Sequence, residues 1–359
     1  MNVPTVFLDA LIDGDKCWFV HAYYPALFSA DYKSGMCKLE AVLPNNHDFG
    51  ECLFASIAQY GDKLVLAPRS SDVIAIFNCV TKKVETVSLD ISKMKGAGVF
   101  NLFTSTCVFG EYVYLFSGRY PAIVRLDMRN YSIEYFEDWL PEINDISPNR
   151  ELVYFRKAVL SENRAYLPCW QAAAYLIFNF ENCSYEVVYT GDKGSMSSIA
   201  VTGTGKLIYA YKDSCKISGE VECEIDKYCG VDSIFWKDKY LYIVPRDSAD
   251  LLLYNMETEE ILVFDRIDNE IEKIPEGYLK YDRFVMAAIE RNGLILITSN
   301  YDGKVRIIYE DEQEERVLKF CVTKEDKLAV EKSRYKNVCK ENKDHLLKTF
   351  IEDIVRMGD

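Results

Sequence analysis

Histidine is nearly missing from this chain: His21, His47 and His345 are the only three in 359 residues. Imidazole is the commonest metal ligand, and its unperturbed pKa lies near neutrality. Its scarcity argues against a zinc centre and against histidine-driven acid–base chemistry. Closely spaced cysteines are lacking too, because the 12 present are scattered and no CxxC pair occurs. Free thiols in a reducing compartment are therefore expected, with no metal and no cofactor. Nor is there an excess of basic residues. Lys and Arg number 42 against 56 Asp and Glu, a formal net charge of -14, and such a field repels a phosphate backbone. Nucleic acid is not an expected partner. No run reaches the ~20 apolar residues that cross a bilayer, so no membrane span is expected. Residues 1–6 carry neither a basic segment nor an apolar one, so a secretory leader is not expected and a cytoplasmic location is. HExxH, GxSxG, calcium-loop and dinucleotide patterns are all missing. Gly203-x-Gly205-Lys206 lacks the spacing of a phosphate loop.

What the chain has in plenty is aromatic side chains, 25 Tyr and 19 Phe, residues that suit a half-buried pleated surface. They fall in a repeat. One unit consists of an apolar strand, a polar break, a second apolar strand closed by Asn or Asp, a short turn and a third strand. Copies begin at Cys17, Leu64, Val113, Ala165 and Leu241, with a weaker one at Leu294. The closing residues are Asp31, Asn78, Asp127, Asn179 and Asn255, with Glu310 near the equivalent place. Most gaps between them are about 50 residues, the period of a four-stranded propeller blade. The gap from Asn179 to Asn255 is too long for one unit, and the stretch from Leu207 reads as a short, divergent copy that lacks its outer strand. Upstream of every core lies one more apolar segment, which completes four strands per unit.

The turns have their own chemistry. Gly14-Asp15, Gly61-Asp62, Gly110-Glu111 and Asn292-Gly293 supply residues that tolerate positive φ between first and second strands. Asn78-x-x-Thr81, Asp127-x-x-Asn130 and Asn255-x-x-Thr258 predict Asx turns between third and fourth. Closing such units into a ring leaves only short, protected sheet edges, which favours a propeller over an open sheet. The expected fold is all-β, a seven-bladed propeller over residues 5–320 with blades starting near 6, 53, 102, 152, 197, 232 and 284. Six blades, with residues 190–230 as an insertion, is the alternative. Leu115-Phe116-Ser117-Gly118-Arg119-Tyr120 lies at the end of a second strand, where kelch blades carry a glycine pair. On this pattern the chain resembles kelch-like seven-bladed repeats. The resemblance implies a ring architecture whose members include interaction scaffolds and sugar-active proteins. It carries over no active-site residue, since this chain has one glycine there and no Gly-His or Trp-Asp signature.

Residues 321–359 break the repeat and predict helix. Leu347, Phe350, Ile351 and Ile354 share one apolar stripe, suited to packing on the propeller or to an oligomer contact.

Binding residues gather on loops held by a rigid scaffold, here the loops between second and third strands. These carry Tyr23, Tyr24, Arg69, Arg119, Tyr120, Trp170 and Arg246. Arg69, Trp170 and Arg246 each stand nine residues before their closing Asn, and Arg119 stands eight before Asp127. Arg suits carboxylate or phosphate, and Trp and Tyr offer flat faces for a sugar or side chain. The same residues are equally suited to bracing neighbouring blades. His47 in a long loop has no nucleophile tied to it. Asp9, on an inner strand, is placed to reach a central channel. The expected function is noncatalytic binding of a protein, peptide or anionic carbohydrate on this Arg/aromatic face. The alternatives are a carbohydrate-active lyase or hydrolase, with carboxylates converging from several blades, and a scaffold joined through the C-terminal helix.

Overall fold

Apolar runs of four to seven residues, rich in Val, Ile, Leu and Tyr and punctuated by Gly and Asn, are too short for stable helices and pair as strands. A computed structural model describes residues 3–4, 7–22, 24–31, 33–44, 53–94, 98–147, 149, 152–191, 194–246, 248, 250–266, 284–285, 295–299, 304–308 and 315–338. Seven four-stranded antiparallel sheets follow one another along the chain, each with its strands in sequential order. Their first strands are Ala10–Asp13, Phe54–Tyr60, Phe103–Phe109, Val159–Ser161, Met196–Val201, Val231–Lys237 and Phe284–Val285. The fifth sheet corrects one expectation: its outer strand is present, reduced to the two residues Cys223–Glu224. That sheet makes the count seven rather than six.

Burial falls from the middle of each sheet outward. In the second sheet, Lys63–Pro68 and Val73–Asn78 are buried on both faces, whereas the outer strand Val84–Ser88 is mostly exposed. Strands covered on both faces read as unbroken apolar runs such as Leu64-Val65-Leu66-Ala67, all fully buried. The cover comes from the neighbouring sheets. Seven apolar clusters lie between sheets one and two, two and three, three and four, four and five, five and six, six and seven, and finally seven and one. In the last, Phe7, Phe19 and Phe28 pack with Leu296, Ile307 and Phe320. Each sheet thus rests on the next, and the seventh returns to the first, an arrangement consistent with a propeller-like architecture. Val3–Pro4 pairs antiparallel with Cys321–Val322, so strands near the two ends of the chain are joined as well.

The outer hairpins follow one recipe. The closing Asp31, Asn78, Asp127, Asn179 and Asn255 each accept a backbone N–H two residues on through Oδ1. Four residues past the closing position the backbone enters the left-handed region, at Gly35, Lys82, Tyr131, Cys183 and Glu259. Only the first sheet places glycine there, where it carries no steric cost.

The 3₁₀ turn Ile91–Met94 and helix α1, Leu140–Ile146, lie in the connections after the second and third sheets. Helix α2, Lys324–Val338, begins at Thr323. Its Oγ1 accepts the Asp326 N–H at 3.0 Å and donates to the Asp326 carboxylate at 2.8 Å, a capping arrangement that satisfies helix-end groups. Val330 enters the cluster between sheets seven and one, so the described part of this helix packs on its own sheets. The stripe Leu347, Phe350, Ile351 and Ile354 lies outside the described residues, as do Tyr23 and His47. Among the described residues no helix is long and apolar enough to cross a membrane. Nine of the described cysteines, from Cys17 to Cys229, are free.

Candidate functional site

The first strands converge on one cavity of about 680 Å³, within the usual size of a small-ligand site. Residues 8–11, 55–58, 103–108, 156–160, 197–201 and 232–236 line it, one segment from each of the first six sheets. At the head of these segments stands an apolar residue followed two places later by a polar one. The instances are Phe7-Leu8-Asp9, Phe54-Ala55-Ser56, Phe103-Thr104-Ser105, Phe155-Arg156-Lys157, Met196-Ser197-Ser198 and Val231-Asp232-Ser233. In sheets two, three, five and six the pairing register slips between these two positions. Such bulges re-aim side chains at the rim of a sheet.

The polar residue stitches one sheet to the next. Asp9 Oδ2 accepts the Ile57 N–H at 3.1 Å, Ser56 Oγ the Thr106 N–H at 3.0 Å, Ser105 Oγ the Ala158 N–H at 3.0 Å and Ser198 Oγ the Ile234 N–H at 3.2 Å. Backbone donors on a first strand that faces a cavity have no further strand to pair with, and buried donors need partners. The repeated Ser meets that need. This motif is present in the sequence as apolar-x-Ser, but the stronger apolar signal of the second and third strands masks it.

Charge on the wall is arranged in pairs. Lys157 Nζ of the fourth sheet reaches Asp9 Oδ1 of the first at 2.6 Å, a bond between residues 148 apart, while Ser56 Oγ donates to Asp9 Oδ2 at 2.6 Å. Asp9 does line the cavity, as its place on an inner strand suggested. Arg156 Nη2 donates to Asp232 Oδ1 at 2.9 Å, with Ser233 Oγ on the other oxygen at 3.1 Å. The Arg156 guanidinium also lies 4.5 Å from the centre of the Trp170 ring. Lys212 Nζ is likewise 4.5 Å from that ring.

Of the residues singled out from the second-to-third loops, Arg69 and Trp170 line the cavity. Arg246 stands outside it and donates to Asp213 at 3.2 Å, and the same carboxyl group lies 3.9 Å from Lys212. Arg119 is buried, and Tyr120 is fully buried with its hydroxyl donated to the Asp90 carbonyl at 2.9 Å. Burial pushes the Tyr120 hydroxyl well above its ordinary pKa, with Tyr135 adding to the shift. Tyr24 packs beside His21, ring centres 4.6 Å apart, under Lys327 of α2.

A one-residue offset explains the divergence of Arg119. Arg69, Trp170 and Arg246 each donate their backbone N–H to the residue just before the first strand's apolar head: Leu53, Tyr154 and Gly230. In the fifth sheet Lys212 makes this bond to Ser195, and in the third sheet Gly118 makes it to Leu102. Lys212 is therefore the fifth sheet's counterpart of the other three, hidden by that unit's divergent sequence. Gly118 occupies the place in the third sheet, where a Cβ would lie 2.2 Å from the Asn101 carbonyl oxygen. Arg119, one residue later, turns into the interior.

Among the described residues no group of three His, Cys, Asp or Glu is gathered to hold a metal ion. Cys169, beside Trp170, is fully buried, and burial pushes its thiol far above the ordinary range, away from thiolate chemistry.

No protein-family model matches the chain, and no curated protein matches it. Solved structures do. A streptogramin B lyase superposes with a TM-score of 0.58 at 12% identity, covering 86% of this chain and 93% of that one. A catalytically inactive virginiamycin B lyase from Staphylococcus aureus, with quinupristin, gives 0.56 at 13% identity, covering 86% and 94%. YCF48 bound to D1 peptide gives 0.58 at 12%, covering 87% and 94%. These neighbours are remote and diverse, and the likeness is one of fold. It assigns the chain to no particular family.

Proposed function

We propose that this protein is a noncatalytic binding module, a seven-bladed propeller of kelch-like plan that captures an anionic ligand at the mouth of its central cavity. The single observation that carries the reading is the convergence of Arg69, Arg156, Lys157 and Trp170 on one cavity in a chain of net charge -14. Cations gathered in a cleft of an otherwise acidic protein attract and hold an anion, and a guanidinium is suited to carboxylate and phosphate alike. The cyclic order of apolar clusters supports a closed ring, and Gly118, at the end of a second strand, supports the kelch-like plan. Capture is favoured over hydrolysis because both carboxylates among the described wall residues are already engaged: Asp9 with Lys157, Ser56 and Ile57, and Asp232 with Arg156 and Ser233. A glycosidase needs two carboxyl groups available to its substrate. The free cysteines support a reducing, cytoplasmic location.

The test is a binding screen of acidic peptides and anionic sugars against the wild-type chain and the variants Trp170→Leu and Arg156→Gln. We expect both variants to lose affinity while keeping the wild-type melting temperature. Melting that drops in step with affinity would instead assign these residues to bracing adjacent sheets.

A further inference from the structure

Among the described residues three cations line the cavity, and two of them have a carboxylate partner. Lys157 is paired with Asp9 and Arg156 with Asp232. Arg69 differs. Its Nε donates to the neutral Asn101 Oδ1 at 2.6 Å and its guanidinium lies 5.2 Å from the centre of the Phe100 ring. Among the described residues it has no acidic partner, and its two terminal nitrogens make no hydrogen bond. We propose that Arg69 is the receptor for the carboxylate of a small, hydroxylated, monoanionic acid of the uronic-acid kind. The proposal rests on the cavity mouth being a binding site and names the chemistry it selects.

The geometry favours a planar anion. With Nε held by Asn101, the remaining edge of the guanidinium is a two-nitrogen fork, which matches a carboxylate through two parallel N–H···O bonds. Charge balance favours a single negative charge. Among the described residues the wall has one cation without a carboxylate partner, so a phosphate dianion would bring a second negative charge beside Asp9 and Asp232 without a second such cation to neutralise it. Hydroxyls near the site suit a polyol. Thr104 Oγ1 donates to the Arg156 carbonyl at 3.2 Å and Ser197 Oγ to the Ala210 carbonyl at 3.1 Å, which leaves each oxygen able to accept from a ligand hydroxyl.

Asn101 is a positioning residue for this receptor. It sits at φ +53°, a left-handed conformation that Asn adopts more readily than most side chains. Its carbonyl accepts the Arg119 N–H at 2.8 Å, and Gly118 packs so closely on it that no side chain fits. The connection from the second sheet to the third is thus shaped around the residue that holds Arg69.

The experiment is isothermal titration of the full chain with D-glucuronate, D-glucose and D-glucose 6-phosphate, with melting temperature recorded for every variant. Glucuronate is expected to bind at least about tenfold more tightly than either of the others. Arg69→Gln should abolish that preference, and Arg69→Lys, which keeps the charge and loses the fork, should weaken glucuronate by about tenfold. Asn101→Asp supplies the missing counter-ion and should cancel glucuronate binding with the fold intact. Asn101→Gly keeps the backbone conformation and should weaken binding through loss of Oδ1 alone. Preference for the phosphate would overturn the charge argument. Glucuronate binding that survives Arg69→Gln and Asn101→Asp but not Arg156→Gln would remove Arg69 as the receptor and leave the mouth as the site. Failure of all three probes on the wild-type chain would overturn the receptor and the anion-binding reading together.

Discussion

The outer hairpins and the cavity wall each repeat a polar side chain about once per sheet, and the two repeats serve different ends. In the hairpins, Asn78 accepts N–H groups two and three residues away, and Asn255 does the same. On the wall, Asp9, Ser56, Ser105 and Ser198 accept N–H groups 48, 50, 53 and 36 residues away. A turn that closes on itself forms within one hairpin, whatever the rest of the chain does. A bond between sheets exists only after two separate sheets have docked, and the loop-closure entropy of that docking must be met first. The hairpin polar residues therefore shape a sheet, whereas the wall residues hold the sheets in register around the cavity.

The difference is sharpest at Asp9, which joins the first sheet to both the second and the fourth. Asp9→Ala removes the acceptor that joins Lys157 and the Ile57 N–H to the first sheet, and equilibrium urea unfolding should show a loss of about 3 kcal/mol. Asp9→Asn should recover part of it, since an amide oxygen still accepts from the backbone. Next comes Ser56→Ala, which removes the acceptor of the half-buried Thr106 N–H and should cost about 1–2 kcal/mol in the same assay. Asn78→Ala removes only bonds to exposed turn donors that water replaces, and its expected cost is smaller, about 0.5–1 kcal/mol. Equal losses for Ser56→Ala and Asn78→Ala would erase the distinction between wall and hairpin. Glu259→Gly relieves a left-handed backbone at φ +57° and should raise stability by a few tenths of a kcal/mol, roughly the steric cost less the flexibility of glycine.

Acid should act on the outer hairpins through two of their closing residues. Bonds from Arg129 hold the Asp127 carboxyl down to about 2, and the Ser34 and Lys33 backbone N–H groups hold the Asp31 carboxyl below its ordinary value. A lowered folded-state pKa contributes stability that is present above the unfolded value near 4 and is lost as pH falls toward 2. Melting temperature against pH should therefore decline over that window. Asp127→Asn should flatten its share of the decline and leave the wild-type and variant curves converging at the acid end.

Much of the fold is legible in the sequence because a four-stranded sheet of consecutive strands is a local object. Runs such as Leu64-Val65-Leu66-Ala67, the glycine turns at Gly14, Gly61 and Gly110, and the closing Asn and Asp all lie within a few residues of their partners. The fifth sheet was the hardest to read, since an outer strand of two residues, Cys223–Glu224, gives no periodic signal. The site was less legible. Arg69 and Trp170 were found from their spacing, Lys212 was concealed by divergence, and Arg119 was displaced by a single residue that turns its side chain inward. Arg156 and Lys157 stood in plain view, yet nothing local says that a lysine will meet an aspartate 148 residues away.

The sequence by itself determined most of the strands and their turns, because hydrophobic alternation, positive φ and Asx bonding act over a handful of residues. The fifth sheet's outer strand, and with it the count of seven, came from the structure. Tertiary structure decided which of those residues share a cavity and which cations have their charge cancelled. Those contacts depend on how the sheets rest against one another. Arg69 and Arg156 are chemically the same side chain, and only the folded chain sets an aspartate beside one and an asparagine beside the other.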